Sequence, residues 1–165
     1  MISLNISEIK VFMSKLLTNL TFDHFYMKEM ELQTFTGFYL DGQFNKAFYS
    51  EAELEERGTA LTTLWSDVKP IAFSIIKGTK PPLSLKIVFQ LPRDKTEAFI
   101  AGIPGNYLME EIGGLYLNVR FEKGVLHIVS GVAIKSFHMD KTLEKEWDQE
   151  VKNLLKGQGI LYEED

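Results

Sequence analysis

The chain has 165 residues, of which 45% are hydrophobic and 25% are charged, and its formal net charge at pH 7 is −5. This composition excludes intrinsic disorder, which needs low hydrophobicity and high net charge, and the length suits a single domain with its own core. The absence of cysteine excludes disulfides, thiolate metal sites and a cysteine nucleophile.

The start of the chain and its apolar runs bear on localisation. Glu8 interrupts the stretch in which a secretory signal peptide would be continuously apolar. No run reaches the ~18 consecutive apolar residues that a membrane helix requires. We therefore expect a cytoplasmic protein without membrane contact, with residues 1–165 in one domain.

The first third of the chain predicts a strand, a helix and an aromatic-rich sheet segment. Ile2–Ile6 predicts a short strand, and apolar residues at helical spacing predict a helix over 7–19 that Ser7 caps. Residues 22–48 are rich in Phe, Tyr and Thr and predict two or three antiparallel strands, with a turn at Asp41-Gly42.

Helical signals return after the aromatic segment. Ser50-Glu-Ala-Glu53 is a capping box and predicts a short helix. Apolar residues at helical spacing then predict a helix over 60–77 that Pro70 kinks. In the alternative, a new helix starts near Ser66 or Asp67 and leaves Pro70 in its first turn.

Strand and helix signals alternate again in the C-terminal half. Pro81-Pro82 marks a boundary, and it is followed by a predicted strand over 83–91 and a short helix over 94–101. A last amphipathic helix is predicted over 140–156, capped by Asp140. The acidic tail from Tyr162 onward is expected to fray.

A β-hairpin over residues 115–134 is the clearest pattern in the chain. Apolar and polar residues alternate on both sides of a two-residue turn at Lys123-Gly124. The register that joins the two apolar faces pairs Arg120 with His127 and Asn118 with Val129, and a slip by one residue would destroy that match.

Together these elements predict an α+β fold. An antiparallel sheet takes strands from about 24–48 and 83–137, and amphipathic helices 7–19, 60–77 and 140–156 cover one face. The order strand, helix, antiparallel strands, helix occurs in residues 2–78 and again in 83–156, with a half boundary near 78–82. This order fits either a pseudo-duplicated architecture of the sliding-clamp or TATA-binding type or an ordinary α+β protein.

Motifs that carry chemistry are absent from the sequence. The glycine-rich segments lack the spacing of a phosphate loop or dinucleotide fingerprint, and there is no G-x-S-x-G elbow. The three histidines, His24, His127 and His138, show no metal-ligand spacing. We therefore expect no catalytic residues, no metal and no cofactor, and we favour a non-catalytic protein.

The polar face of the predicted hairpin is the strongest candidate ligand site. Arg120 and His127 are cross-strand neighbours, Asn118 lies two residues along, and Lys135 follows on the second strand. Arginine offers two-pronged recognition of a carboxylate or phosphate, so this cluster could bind a small anion or a nucleotide. The alternative is an ordinary solvated sheet face, which contains the same residue types.

Basic residues are concentrated in one segment. Residues 68–93 contain five lysines or arginines and no acidic residue. Lys77, Lys80 and Lys86 are candidate anion contacts in this segment, and the alternative is that they keep a buried strand soluble. The acidic overall balance argues against nucleic acid as the main partner, although a clamp-like nucleic-acid accessory protein stays open.

The surplus of aromatic residues in the first third suggests an interaction surface. Nine Phe and Tyr residues lie between positions 22 and 49. If they make both sheet faces apolar, a second copy or another protein must cover one of them. Our leading hypothesis is therefore a binding or protein-interaction module that uses an aromatic-rich sheet face, as a homodimer or with another protein.

Four segments also carry a family resemblance. Residues 82–91 (PLSLKIVFQL), 114–120 (GLYLNVR), 140–148 (DKTLEKEWD) and 21–25 (TFDHF) resemble a family of uncharacterised proteins from clostridial-type Gram-positive bacteria. The family is a domain of unknown function. The resemblance implies a bacterial, cytosolic, single-domain protein and transfers no catalytic residue.

Overall fold

A computed structural model of the chain describes residues 1–58, 61–78, 80–136 and 140–165. His138, one of the candidate metal ligands considered above, lies outside the described residues. The strands are β1 (Ser3–Ile6), β2 (Tyr26–Gln33), β3 (Gly37–Leu40), β4 (Ser84–Gln90), β5 (Ile112–Glu122), β6 (Val125–Ile134) and β7 (Tyr162–Glu164). The helices are α1 (Ile9–Leu17), α2 (Glu51–Arg57), α3 (Trp65–Ile76), α4 (Arg93–Ala101) and α5 (Thr142–Gly157).

The strands form one antiparallel sheet of seven, in the order β3-β2-β4-β5-β6-β1-β7. The α+β prediction is therefore confirmed. The hairpin β5–β6 has the expected register, with Arg120 opposite His127 and Asn118 opposite Val129. Its turn residues Lys123 and Gly124 both have positive φ, at 52° and 76°, as a two-residue hairpin turn requires.

The hydrophobic core lies between the helices and one face of this sheet. Alternate strand residues such as Ile87, Leu117 and Ile128 point into it and are fully buried. Trp65 at the start of α3 is also fully buried, and its indole N–H donates to the Leu16 carbonyl of α1 at 2.8 Å. The core thus joins elements that are far apart in the chain.

The aromatic-rich segment turns at a different place from the predicted one. The β2–β3 connection lies at residues 34–36, whereas Asp41-Gly42 follows β3. Gly42 has φ +67° and lies so close to β2 that a Cβ atom would come within 2.2 Å of the Met27 carbonyl oxygen. The glycine is therefore needed for a close backbone approach rather than for a hairpin turn.

Several helix ends also differ from the predictions. Helix α1 begins at Ile9 with Glu8 at its N-cap, so Ser7 does not cap it. Helix α3 begins at Trp65 with Pro70 as its sixth residue, close to the alternative of a later start. The capping box at Ser50 and Glu53 is confirmed by reciprocal hydrogen bonds of 3.1 Å.

The acidic tail is part of the sheet, so the prediction of a frayed terminus is wrong. Strand β7 pairs with β1, placing Tyr162 opposite Ile6 and Glu164 opposite Leu4. Lys152 of α5 forms an ion pair with Glu164. The preceding Ile160 is buried, which anchors this last strand against the core.

The repeated order of elements is not matched by repeated strand pairing. In the second half, β4 is followed by α4 and then pairs with β5. In the first half, β1 is followed by α1 but pairs with β6 and β7, at the opposite side of the sheet from β2.

Candidate functional site

The sheet face opposite the helices, called the open face below, carries the predicted anion-binding cluster. Arg120 lies between Lys86 and His127 in a single row that crosses the sheet, and Glu31 and Asn5 extend this row on either side. The structure thus brings Arg120 and His127 together. It also adds Lys86, which the sequence alone assigned to a different group.

Asn118 and Lys135 contribute less to this cluster. Asn118 lies in the neighbouring row, and its side-chain amide donates to the Val129 carbonyl at 3.2 Å. Lys135 follows the end of β6, eight residues beyond His127. At about 3.4 Å per residue this places Lys135 roughly 27 Å along the strand direction from His127. Lys135 therefore does not join the other candidates.

Two basic side chains of the open face each contact a carboxylate. Lys86 Nζ lies 3.2 Å from a carboxylate oxygen of Glu29, and His127 Nε2 lies 3.3 Å from one of Asp165. The Tyr39 hydroxyl donates to Glu29 at 3.3 Å. Partial burial and the negative charge of Glu29 raise the pKa of the Tyr39 phenol.

Arg120 is exposed and borders a shallow cavity of about 150 Å³. The other charged residues of this cavity are Lys86, Glu31 and Glu122. A small anion at this position would meet two carboxylates as well as two cations, so the local charge offers it little net attraction.

Of the nine Phe and Tyr residues between positions 22 and 49, two are buried in the core, whereas Phe35, Tyr39 and Phe48 are exposed. Phe22 and Phe25 are buried under the helices, and Phe22 stacks on Phe89 of β4 with ring centroids 5.6 Å apart. Tyr26 and Tyr39 are the members of this set on the open face. Because most of its other residues are polar or charged, the open face does not offer a large apolar patch.

An apolar groove lies at the end of the sheet where β4 begins. Two adjoining cavities, of about 380 and 450 Å³, share Ile76, Lys80 and Pro81. Helix α1 contributes Ile9, Met13 and Leu17 to the first of them, at a spacing of four residues along one helix face. We call this feature the lysine-rimmed groove.

The rim of this groove combines exposed apolar side chains with positive charge. Phe35 of the β2–β3 turn is 88% exposed and Leu83 is 72% exposed, and both line the second cavity. Among the described residues that line the groove, three are lysines, namely Lys10, Lys77 and Lys80, and none is acidic. Two of the predicted anion contacts therefore lie at an apolar site.

A separate cavity lies between helices α4 and α5, and we call it the α4–α5 cleft. It has a volume of about 420 Å³, and Leu117 of β5 is part of its lining. Aromatic rings of Phe25, Phe99 and Trp147 also line it. The rings of Phe99 and Trp147 meet edge to face at 5.7 Å, and the Trp147 indole N–H donates to the Tyr116 carbonyl at 2.9 Å. These contacts fix the apolar lining.

Three polar side chains lie around the α4–α5 cleft. His24 comes from the segment before β2, Lys95 from α4 and Glu150 from α5. Partial burial lowers the pKa of His24, and the positive charge of Lys95 lowers it further. The imidazole is thereby favoured in its neutral form, in which it both donates and accepts a hydrogen bond.

The arrangement of acidic and histidine side chains and the length of the helices bear on metal binding and membrane insertion. The described residues contain no group of three or more acidic or histidine side chains arranged to hold a metal ion. Within the described part of the chain, no helix has both the length and the apolar character needed to cross a membrane.

Comparison with known proteins identifies the family. The sequence profile of a family of unknown function, DUF5721, matches residues 15–163 of the 165. The chain belongs to this family. No curated protein and no solved structure matches this DUF5721 chain.

Sequence reasoning missed both the lysine-rimmed groove and the α4–α5 cleft of this DUF5721 chain. The polar residues of the α4–α5 cleft, His24, Lys95 and Glu150, are spread over most of the sequence. One sequence signal does point to the groove, namely the basic segment 68–93, which contains no acidic residue. The α1 residues that complete the groove have the same spacing as the apolar residues of any helix that packs on a core, so they do not indicate a binding site.

Proposed function

We propose that the protein is a non-catalytic interaction module that binds an acidic amphipathic helix of a partner protein in the lysine-rimmed groove. The observation that carries this proposal is an apolar groove with three lysines and no acidic residue among its described lining residues. A helix with apolar residues on one face and carboxylates beside them fits both properties.

The apolar part of the groove supports recognition of a helix. Two cavities side by side can accept successive apolar anchors of a helix, which recur at i, i+4 and i+7. Phe35 and Leu83 are largely exposed in the free protein and would be covered by the partner. Exposed apolar surface bordered by polar residues is typical of protein-interaction sites.

The charges of the groove support an acidic partner. Lys77 and Lys80 are exposed, and neither forms an ion pair with any residue that the structure describes. The whole chain carries a net charge of −5, so this basic patch differs in sign from the protein as a whole. Such a patch steers an acidic partner to one end of the molecule.

A designed peptide tests the proposal. The probe is an 18-residue fluorescent helix with leucines on one face and glutamates elsewhere, and two controls have the leucines scrambled or the glutamates replaced by lysines. We expect saturable binding of the acidic amphipathic peptide, measured by fluorescence anisotropy, and weaker binding at higher salt. Equal binding of the scrambled peptide would overturn the proposal.

Charge-reversal variants locate the binding site. The double substitution Lys77→Glu with Lys80→Glu should weaken peptide binding about tenfold or more, about 1.4 kcal/mol. The matched control, Lys145→Glu with Lys156→Glu, reverses two exposed lysines of α5 and changes the net charge by the same amount. It should bind the peptide as the wild type does, apart from the long-range effect of net charge that both variants share. Arg120→Ala on the open face should also leave binding unchanged.

Sedimentation separates a partner helix from self-association. If a second copy covers the groove, the wild-type protein will sediment as a dimer, the Lys77→Glu/Lys80→Glu variant as a monomer, and the peptide will not bind. That result would overturn the proposal in favour of a homodimer.

We also propose a bacterial, cytoplasmic setting, which rests on the sequence resemblance and the cysteine-free composition.

A further inference from the structure

The α4–α5 cleft has the dimensions and lining of a small-molecule site. Its volume of about 420 Å³ falls within the range of roughly 300–1,000 Å³ that is usual for ligand pockets. Phe25, Phe99 and Trp147 give it an aromatic lining, and a few polar groups lie among the apolar ones. This combination suits a ligand with one flat ring and a small polar end.

The charges at the cleft are of both signs and lie on different helices. Lys95 is on α4 and Glu150 is on α5, and both are exposed. Neither forms an ion pair with any other residue in the described ranges. A ligand of a single charge would therefore be attracted by one helix and repelled by the other.

We infer that the α4–α5 cleft binds a small aromatic zwitterion, a molecule with one ring, one carboxylate and one ammonium group. The ring lies against Phe99 and Trp147. The carboxylate meets Lys95 and the ammonium group meets Glu150, so each charge of the site faces an opposite charge. His24, favoured in its neutral form, supplies one further hydrogen bond. This inference is independent of the peptide groove.

Trp147 provides a direct readout of binding. L-Phenylalanine is the probe, because it carries the required groups and does not fluoresce at the wavelengths of tryptophan. It should change the fluorescence of Trp147, which lines the cleft, in a saturable way, whereas the second tryptophan, Trp65, is not part of the cleft lining. Glycine, which lacks the ring, should have no effect. Absence of a saturable change up to about 10 mM, the weakest affinity expected of such a small ligand, would overturn the inference.

Matched ligand and protein changes test the two charges separately. Phenylalanine amide lacks the carboxylate and N-acetyl-phenylalanine lacks the ammonium group, and each should bind about tenfold more weakly than phenylalanine, by about 1.4 kcal/mol. Lys95→Met should weaken phenylalanine but not the amide. Glu150→Gln should weaken phenylalanine but not the N-acetyl form.

The pattern of these results decides the outcome. If each variant affects only the ligands that keep the matching charge, the inference stands. If Glu150→Gln leaves phenylalanine binding unchanged or strengthens it, the cleft takes a plain carboxylate and the zwitterion inference is wrong. Both residues are exposed, so their substitution leaves the core intact, and circular dichroism of each variant checks this.

Discussion

Lys69 on α3 donates hydrogen bonds to both carboxylate oxygens of Asp23, at 2.7 and 2.8 Å. The lysine also donates to the Asn19 carbonyl at 3.0 Å, so one ammonium group joins α3 to the segment between α1 and β2. The two side chains are only 16% and 19% exposed. This ion pair therefore lies largely out of the solvent and close to His24 at the α4–α5 cleft.

Replacement of Asp23 by Asn should destabilise the protein. The substitution leaves Lys69 charged and largely buried without a carboxylate, and we expect a loss of about 1–2 kcal/mol, below the ~3–5 kcal/mol of a fully buried pair. Urea unfolding measures this loss. Glu55→Gln is the control, since Glu55 is exposed and pairs with no cation among the described residues. An equal effect of both substitutions would contradict the prediction.

Ser130 on β6 is a second point at which a polar side chain stabilises the fold. It is buried, its hydroxyl accepts from the backbone N–H of Ile2 at 3.0 Å, and it donates to Asp148 of α5 at 2.5 Å. Ser130→Ala removes the hydroxyl that both groups bind, and leaving the Ile2 N–H and Asp148 Oδ1 without this partner should cost about 1–3 kcal/mol. Thermal unfolding of this variant, with Ser84→Ala on the open face as control, measures the cost.

The sequence predicted the β5–β6 hairpin residue by residue because two constraints act together there. Strict alternation allows one register, and the Lys123-Gly124 turn supplies the two positive φ angles that this register needs. The Asp41-Gly42 signal was misleading because glycine is required there for a close approach to Met27, not for a turn. Local chemistry alone does not distinguish these two uses of glycine.

The candidate sites were harder to predict because they depend on the neighbours of each strand and helix. The pairing of Arg120 with His127 follows from one hairpin, whereas the position of Lys86 beside Arg120 depends on the β4–β5 pairing. The α4–α5 cleft depends on how two helices pack on the sheet, which leaves no local pattern around Lys95 or Glu150.

The C-terminal strand offers a test of a structural feature that the sequence did not predict. Ile160 is 2% exposed, while its neighbour Leu161 is 59% exposed. Ile160→Ala should lower the free energy of unfolding by about 2–4 kcal/mol because it leaves a cavity in the core. Leu161→Ala should change it little, because its contribution to the sheet is the backbone carbonyl that accepts from Ser7 N–H at 3.0 Å. Equal, small effects of both substitutions in urea unfolding would show that the tail is not anchored.

The titration of His24 tests the electrostatics of the α4–α5 cleft. Partial burial, and after it the charge of Lys95, lower the pKa of His24 in the folded protein, while Asp23 opposes them. The unfolded chain therefore binds more protons than the folded one in the interval below the ordinary histidine pKa of about 6.5. The contribution of His24 to stability is present above that pH and is lost as the pH falls through the lowered pKa.

In NMR titrations, assigned with His24→Gln, we expect the titration midpoint of His24 to lie below the ordinary histidine value. Lys95→Met should raise this midpoint only in part, because burial is the larger cause, and Asp23→Asn should lower it. A midpoint that Lys95→Met leaves unchanged would show that the ammonium group does not act on the imidazole at the cleft.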